Sequence, residues 1–340
     1  MVRVGSLIGA IVAALLLPPG AHRASSAPAP LLHVVRVGLG YLPDVQFAPF
    51  YLALKSGLYR RAGLDVRFQH GYTSELYPLL VQGKLDFVVG DAEDAILYRS
   101  KDPRGAPFRY VLALYQTVPN VIFSLAEKHI TRLADLKGRS LGMPLLSGAS
   151  YTSLQAMLRA AGLKESDLRI QQIGFTQLEA VLSHRVDAAM GFINNEPVVL
   201  AAQKDPVGLN LLPAAPYNSS AGNGVIGTDA SLGKDSEAKK FLQTTQAAMA
   251  QTLNAPGVAF EASKGFILNL SSDRYGVLLA SLPLYQSAFS RQKGLGYSNP
   301  AGWKSTLRLL EDVGRVHTNL PATAFYSNAY LQAGVQARKP

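Results

Sequence analysis

Cysteine is absent from the whole 340-residue sequence. Its absence excludes a disulfide framework, a thiolate zinc site, an iron–sulfur cluster, a cysteine nucleophile and a lipid anchor attached through cysteine. Hydrophobic residues make up 48% of the chain and charged residues 16%, a composition typical of folded and not of disordered proteins. The length favours two domains.

Basic clusters are missing as well. Lysine and arginine total 33 against 23 aspartate and glutamate, which gives a formal charge of +10, yet nowhere do five or six basic residues stand together. A nucleic-acid surface requires a stripe of such residues. We therefore expect a solvated basic surface and no nucleic-acid partner.

The first thirty residues have the pattern of a secretory signal peptide. Arg3 precedes an apolar run at residues 7–17, and Pro18, Pro19 and Gly20 then break the run. The run is shorter than the roughly 20 residues of a spanning helix, and no later segment approaches that length. We expect residues 1–30 to be removed on export, which leaves a soluble mature chain near +8. The alternative is an uncleaved signal that holds the protein at the membrane.

An internal repeat organises the rest of the chain. Residues 61–90 and 160–191 both run from a helix end through a short strand and a second helix to a buried strand. Asp86 and Gly90 match Asp187 and Gly191 at the same offset of 101 residues. Such self-similarity predicts two similar α/β lobes, each a mostly parallel sheet with covered faces.

The elements around the repeat follow from periodicity. Each repeat opens on a strand, at residues 35–40 and 139–143, and continues into a helix, at residues 48–59 and 149–161. Strands are also expected at residues 110–114 and 121–125, near a crossing between the lobes. Three mainly helical stretches should pack back onto the first lobe: residues 233–270, 276–292 and 301–316.

The candidate site lies in the loops that follow the strands, because ligands of open α/β sheets bind beyond the carboxyl ends of the strands. These loops carry the aromatic residues Tyr41, Phe47, Tyr72, Tyr151, Phe175 and Phe192 and the carboxylates Asp44, Asp91, Glu93, Asp94 and Glu196. Aromatic walls with a few polar groups suit a planar heterocycle with N–H donors. The alternative for any one aromatic ring is packing between helix and sheet.

The segment from Ser147 to Tyr151 opens a helix after a strand. Small residues at a helix start leave backbone N–H groups free for an anion, and the hydroxyls of Ser147 and Ser150 add donors. The alternative is an ordinary N-cap, a position that serine favours.

Other binding and catalytic motifs are missing. The glycines at Gly38 and Gly40 superficially match a dinucleotide fingerprint, but Pro43 stands where its third glycine belongs and no acidic residue follows at the expected distance. The six histidines are dispersed, which argues against a metal site, and no GxSxG or GxxxxGK[ST] motif is present. We expect no cofactor and no enzymatic activity.

Several motifs resemble one family of periplasmic solute-binding proteins of ABC importers, the group that binds thiamine pyrimidine precursors, riboflavin and alkylsulfonates. They cover about residues 35–330, and the matching stretches are VGLGYLP (37–43), FAPFYLA (47–53), GLY (57–59), GLDV (63–66), GKLDF (83–87), LADLKGR (133–139) and VDAA (186–189). The segments at 148–151, 174–176 and 195–198, which include Asn195, look most similar to the pyrimidine-precursor and riboflavin binders.

The resemblance implies a two-lobed α/β periplasmic binding protein fold with two hinge crossovers, near residues 116–120 and 217–224. Lobe 1 would span residues 31–116 and 225–340, and lobe 2 residues 117–224. The protein would be an exported, periplasmic monomer that captures riboflavin or a thiamine pyrimidine precursor by hinge closure and delivers it to a membrane permease. A sulfonate or another small anion is the alternative ligand.

The expected roles are distributed over eleven residues. Rings would be walled by Tyr41, Phe47, Tyr72, Tyr151 and Phe175; N–H groups would be accepted by Asp91 and Glu196; ligand oxygens would be bound by Ser147 and Ser150; and Asp44 and Asn195 complete the set. A contrasting class is a pyrimidine synthase-like enzyme on the same scaffold. Those relatives carry a cysteine-rich motif, which this chain lacks.

Overall fold

A computed structural model describes residue 1 and residues 31–101, 107–202 and 208–337. The proposed signal peptide, residues 1–30, lies almost entirely outside the described residues. Residues 32–340 form one compact unit, and the fold below belongs to it.

The described part of the chain contains ten strands, followed after the last strand by six of its thirteen α-helices. The strands are β1 His33–Leu39, β2 Leu64–His70, β3 Phe87–Asp91, β4 Phe108–Ala113, β5 Asn120–Leu125, β6 Ser140–Met143, β7 Arg169–Gln172, β8 Ala188–Phe192, β9 Leu209–Pro213 and β10 Asn223–Thr228. The helices are α1 Ala48–Lys55, α2 Leu58–Arg61, α3 Thr73–Val81, α4 Ala92–Lys101, α5 Gly148–Ala160, α6 Gln177–Leu182, α7 Glu196–Ala201, α8 Asp229–Leu232, α9 Asp235–Asn254, α10 Pro256–Ser263, α11 Arg274–Ser281, α12 Ala288–Lys293 and α13 Pro300–Asp312.

The strands form two sheets of five with the same topology. Sheet 1 has the order β2-β1-β3-β10-β4, and sheet 2 has the order β7-β6-β8-β5-β9. In sheet 1, β10 runs antiparallel between β3 and β4, and β5 does the same between β8 and β9 of sheet 2. The remaining strands of each sheet are parallel, so the predicted two-lobed, mostly parallel α/β fold is confirmed.

The chain passes between the sheets twice. It leaves sheet 1 after Ala113 and enters sheet 2 at Asn120, then returns between Pro213 and Asn223. Each antiparallel strand is the first strand after a crossing. The lobe boundaries expected from the sequence stay a prediction. The structure shows to which sheet each strand belongs, but it does not define the residues at which one lobe ends and the other begins.

The repeated aspartate has the same structural role in both sheets. A carboxylate oxygen of Asp86 accepts the backbone N–H of Arg36 at 2.8 Å, and a carboxylate oxygen of Asp187 accepts that of Ser140 at 2.9 Å. In both cases the aspartate stands just before one strand and binds the neighbouring parallel strand. The similarity in sequence therefore preserves a strand-to-strand clamp.

Both faces of sheet 1 are covered. Val37 and Leu39 of β1 pack with Phe241 of α9 in one buried cluster, whereas Val88 of β3 packs with Leu76 of α3 in another. Side chains that alternate along a strand thus pack into the hydrophobic clusters on opposite faces of the sheet. Because both faces are buried, the strand sequences are nearly continuous runs of apolar residues. The C-terminal helices α9 and α13 supply much of this cover, as the helical periodicity predicts.

One helix differs from its prediction. The pattern at residues 48–59 indicates a single helix, but the structure divides it into α1 and α2. Gly57 has a φ of 71°, a left-handed conformation that ends one helix and that residues with a Cβ rarely adopt.

The helices bear on whether the chain spans a membrane. Over the ranges described above, every helix is too short or too polar to cross a bilayer.

Substitution of Asp187 by alanine tests the strand clamp. The carboxylate also accepts the Ser140 hydroxyl at 2.8 Å and lies 3.4 Å from the Lys128 ammonium. Its loss leaves a buried N–H without an acceptor, so Asp187→Ala should lower the free energy of unfolding by about 1–3 kcal/mol in urea titrations. As a control, Asp65→Ala removes a surface pair with Arg67 and should cost less than about 1 kcal/mol. Equal small losses would refute the clamp.

Candidate functional site

Loops at the strand ends of both sheets enclose a cavity of about 90 Å³. Its lining residues are Gly40, Tyr41, Asp44, Gln46, Thr73, Asp91, Pro144, Leu145, Ser147, Gly148, Ser150, Phe175, Gln177, Phe192, Asn194, Asn195, Glu196 and Asn223.

The structure brings eight of the eleven expected residues to this cavity. They are Tyr41, Asp44, Asp91, Ser147, Ser150, Phe175, Asn195 and Glu196. All of them end or follow a strand in the sequence, so the rule that locates ligands at strand ends selects loops that line this cavity. Their roles toward a ligand stay predictions.

Phe47 and Tyr151 lie outside the cavity lining. Phe47 is 2% exposed, and its ring packs against Tyr51 and His70 inside sheet 1. Tyr151 points the other way along α5, where its hydroxyl donates to Glu165 at 2.7 Å. For these two, the alternative of structural packing describes the observed contacts.

Three aromatic rings meet across the gap between the sheets. Phe175 comes from the sheet 2 side, and its ring stacks on that of Tyr72 with centroids 4.6 Å apart. The same ring contacts Tyr41 edge-on at 4.4 Å. Tyr72 therefore holds Phe175 from behind and is one layer removed from the cavity, whereas Tyr41 and Phe175 form its aromatic wall.

Three asparagines of the cavity lining have unpaired side-chain acceptors. Among the described residues, the buried amide oxygens of Asn194, Asn195 and Asn223 have no hydrogen-bond partner. The amide nitrogens of two of these residues have hydrogen-bond acceptors. Asn223 donates to Asp91 at 3.0 Å, and Asn195 donates to Glu196 at 3.3 Å. These partners fix which amide atom is the oxygen.

The amide nitrogen of Asn194 donates to Ser281 at 2.7 Å. Because the Ser281 hydroxyl itself donates to the carbonyl of Val277, it must accept from Asn194. The three amide oxygens are thus buried acceptors on residues that line the cavity.

Glu196 is an acidic group with a strongly perturbed environment. It is 7% exposed, and burial raises its pKa to about 7, although the backbone N–H of Phe192 opposes this shift by donating to Oε2 at 2.8 Å. The negative charge of Asp44 raises the pKa further. Asp44 is in turn paired with the guanidinium of Arg274.

Asp91 modifies the expected anion site at the start of α5. One of its carboxylate oxygens accepts the backbone N–H of Ala149 at 2.9 Å. The Ser147 side chain makes no cap hydrogen bond, and the Ser150 hydroxyl accepts from Asn120 at 2.9 Å. The helix start therefore binds a carboxylate of the protein itself, a partner that local sequence does not reveal.

Sequence reasoning missed several polar lining residues. Gln46, Thr73 and Phe192 stand in or next to the strand-end loops that the sequence indicates, but they are not among the eleven expected residues. Asn223 lacked any signal, because it begins a strand that reaches sheet 1 only after the second crossing.

The arrangement of the acidic and histidine side chains also bears on metal binding. Within residues 31–101, 107–202 and 208–337, the histidine, aspartate and glutamate side chains form no group suited to a metal ion.

Comparison with known families places the chain. A profile of the family described as NMT1/THI5 like matches residues 44–259, more than half of the sequence. The chain belongs to the NMT1/THI5-like family. The resemblance expected from the sequence motifs is thereby confirmed.

Two curated relatives of this NMT1/THI5-like chain are binding proteins. The riboflavin-binding protein RibY of Chloroflexus aurantiacus is 31% identical over 93% of this chain and 92% of its own length. The formylaminopyrimidine-binding protein of Halalkalibacterium halodurans is 30% identical over 50% of this chain and 51% of its own length. These names agree with the expectation of a binding protein and not an enzyme.

Solved structures share the fold. The periplasmic aliphatic sulphonate binding protein SsuA of Escherichia coli has a TM-score of 0.65 at 17% identity, over 86% of this chain and 96% of that chain. The periplasmic nitrate-binding protein NrtA of Synechocystis has a TM-score of 0.67 at 12% identity, over 89% and 88%. These two structures, both named as periplasmic binding proteins, show that the chain shares their fold.

The raised pKa of Glu196 predicts a pH-dependent stability. The folded protein retains a proton between the ordinary pKa near 4.5 and the raised value of about 7. The resulting stabilisation is complete below pH 4.5 and is lost as the pH rises to 7. Between pH 5 and pH 8, the wild type should therefore lose about 2–3 kcal/mol of unfolding free energy relative to Glu196→Gln.

The measurement is urea denaturation of both proteins at each pH. Glu261→Gln is the matched control, because Glu261 is exposed and pairs with Lys264 at the surface. Parallel pH profiles for wild type and Glu196→Gln would contradict the assignment.

Proposed function

We propose that this protein is the solute-binding component of an ABC importer for a heteroaromatic nutrient rich in N–H donors, either riboflavin or a thiamine pyrimidine precursor. The ligand binds between the two sheets and is delivered to a membrane permease. The protein acts as a monomer in the periplasm after export through its N-terminal segment.

The observation that carries this proposal is the set of unpaired amide oxygens of Asn194, Asn195 and Asn223 in one cavity. A buried acceptor without a partner costs about 1–3 kcal/mol, and a ligand that donates N–H groups removes that cost. The flavin ring has an N–H between two carbonyls, and aminopyrimidines have exocyclic N–H groups. Gln46 and Gln177 stand in the same lining as donors for ring carbonyls.

The aromatic wall supports a planar ligand. Tyr41 from the sheet 1 side and Phe175 from the sheet 2 side contact each other and together form one wall of the cavity. Flat rings gain both apolar burial and ring contacts on such a wall. The riboflavin-binding and formylaminopyrimidine-binding relatives bind molecules of this kind according to their names.

The lining also disfavours the small-anion alternative. Its ionisable acid–base side chains are Asp44, Asp91 and Glu196 together with Tyr41, and lysine, arginine and histidine are absent among the described lining residues. A sulfonate would therefore meet negative charge without a cation in the lining. The enzyme alternative gains no support from the two binding-protein relatives.

Calorimetry on the purified mature protein tests the proposal, with riboflavin and formylaminopyrimidine titrated separately. Saturable one-to-one binding of either compound, unchanged on recovery, is expected. Native mass spectrometry of the protein as expressed gives an independent readout, since a bound nutrient would appear as a mass increment. Lack of binding for both compounds, or turnover of a bound vitamin B6 cofactor, would overturn the proposal.

Substitution of Tyr41 tests the aromatic wall. Tyr41→Ala should weaken binding of the active compound by about 1–3 kcal/mol, the range found for stacking of a base on an aromatic ring. Tyr41→Phe keeps the ring and should retain most of the affinity. Tyr217→Ala is the control, because Tyr217 is 40% exposed and outside the cavity lining. Unchanged affinity in Tyr41→Ala would remove this residue from the site.

A further inference from the structure

The start of α5 has the geometry of an anion site. This helix is 13 residues long, and Gly148 opens it with a φ of 67°. Ser147 does not cap it with its side chain. Helix N termini of this kind attract negative charge, because their first N–H groups lack partners within the helix and carry partial positive charge.

Asp91 from sheet 1 already occupies this position. Its Oδ2 accepts the Ala149 N–H at 2.9 Å, and its Oδ1 accepts the Asn223 side-chain N–H at 3.0 Å. Both oxygens thus act as acceptors. Burial raises the pKa of Asp91, whereas the Ala149 N–H and the positive charge of Arg315 oppose this shift.

The Asp91 carboxylate lies so close to Gly148 that it restricts which residue types can stand at this position. A Cβ added at this glycine would lie 2.6 Å from Oδ2 of Asp91, so a larger residue would displace the carboxylate. The positive φ and the steric limit both favour glycine here, and the contact is therefore built into both chain segments.

The nearest cations are already engaged. The Arg315 guanidinium donates to the carbonyl of Gly148 at 3.2 Å and to the hydroxyl of Thr152. Arg274 pairs with Asp44. An incoming anion would consequently find the helix start occupied and both guanidinium groups committed to the protein.

We propose that Asp91 is an internal anion that fills the N terminus of α5 and thereby makes the cleft reject negatively charged solutes. The site selects uncharged or cationic heterocycles over their phosphorylated or sulfonated counterparts. Only the heterocycle rests on the proposed function; the exclusion of anions follows from the Asp91 geometry itself.

Sulfate is the probe that tests this exclusion without any heterocycle. Asp91→Ala exposes the Ala149 N–H and the Asn223 amide, so sulfate should raise its melting temperature and bind saturably in calorimetry at pH 8. The wild type should show neither effect. Glu261→Gln is the matched control, since it removes an exposed carboxylate that pairs with Lys264 outside the cavity lining, and it should resemble the wild type.

Three results would overturn the proposal: sulfate binding by the wild type equal to that of Asp91→Ala, no sulfate binding by folded Asp91→Ala, or an equal gain in Glu261→Gln. Circular dichroism establishes folding. If Asp91→Ala does not fold, Asp91→Asn keeps the side-chain shape without its charge and is judged by the same criteria.

A second arm uses the wild type with riboflavin and its 5′-phosphate. The phosphate ester should bind at least about tenfold more weakly, because like charges brought together oppose binding. Equal affinities would contradict the exclusion. If neither flavin nor formylaminopyrimidine binds, the proposed function fails, and the sulfate arm still decides the role of Asp91.

Discussion

Hydrogen bonding of buried polar groups between the two sheets is the constraint on which the cleft depends. The amide of Asn218 bridges Glu93 and Ser153, both at 3.0 Å, and Asn194 reaches Ser281 on the far side at 2.7 Å. A polar group left unpaired in such surroundings costs more than a made bond contributes. The bonds therefore fix how the strand-end loops face each other, and the position of the cavity follows from them.

The unpaired acceptors contrast with this network. The amide nitrogen of Asn218 has two hydrogen-bond partners, whereas the amide oxygens of three asparagines in the cavity lining have none among the described residues. Buried polar atoms in folded proteins nearly all have partners, and the proposed function assigns a ligand to these three acceptors. The cavity combines these acceptors with an aromatic wall, a combination that fits a planar ring better than a compact anion.

The sequence was informative where the determinants are local. Loops after parallel strands could be placed from periodicity, which is why Tyr41 and Phe175 were found, and the repeat disclosed two equivalent sheets. The direction of side chains was harder to predict from the sequence. The ring of Phe47 packs in the core, and the hydroxyl of Tyr151 donates to Glu165. Both residues are next in sequence to a residue of the cavity lining.

Partners distant in sequence could not be predicted at all. The Ala149 N–H and Asp91 are 58 residues apart, and Asn223 stands 132 residues from the same carboxylate. Nothing in the local pattern around any of them specifies the other two. Such pairs depend on tertiary structure, and in this fold on where β10 enters sheet 1.

The entry of β10 has a consequence for the order in which the molecule assembles. All strands of sheet 2 come from one continuous segment between Asn120 and Pro213, whereas β3 and β4 of sheet 1 are joined only through β10. As the chain emerges from its N terminus, sheet 2 can close its full ladder while sheet 1 is still two unconnected parts. The half of the cleft formed by sheet 1 is then completed last, by residues beyond Asn223. A nascent chain stopped at the end of β9 would contain the whole of sheet 2 and no cleft.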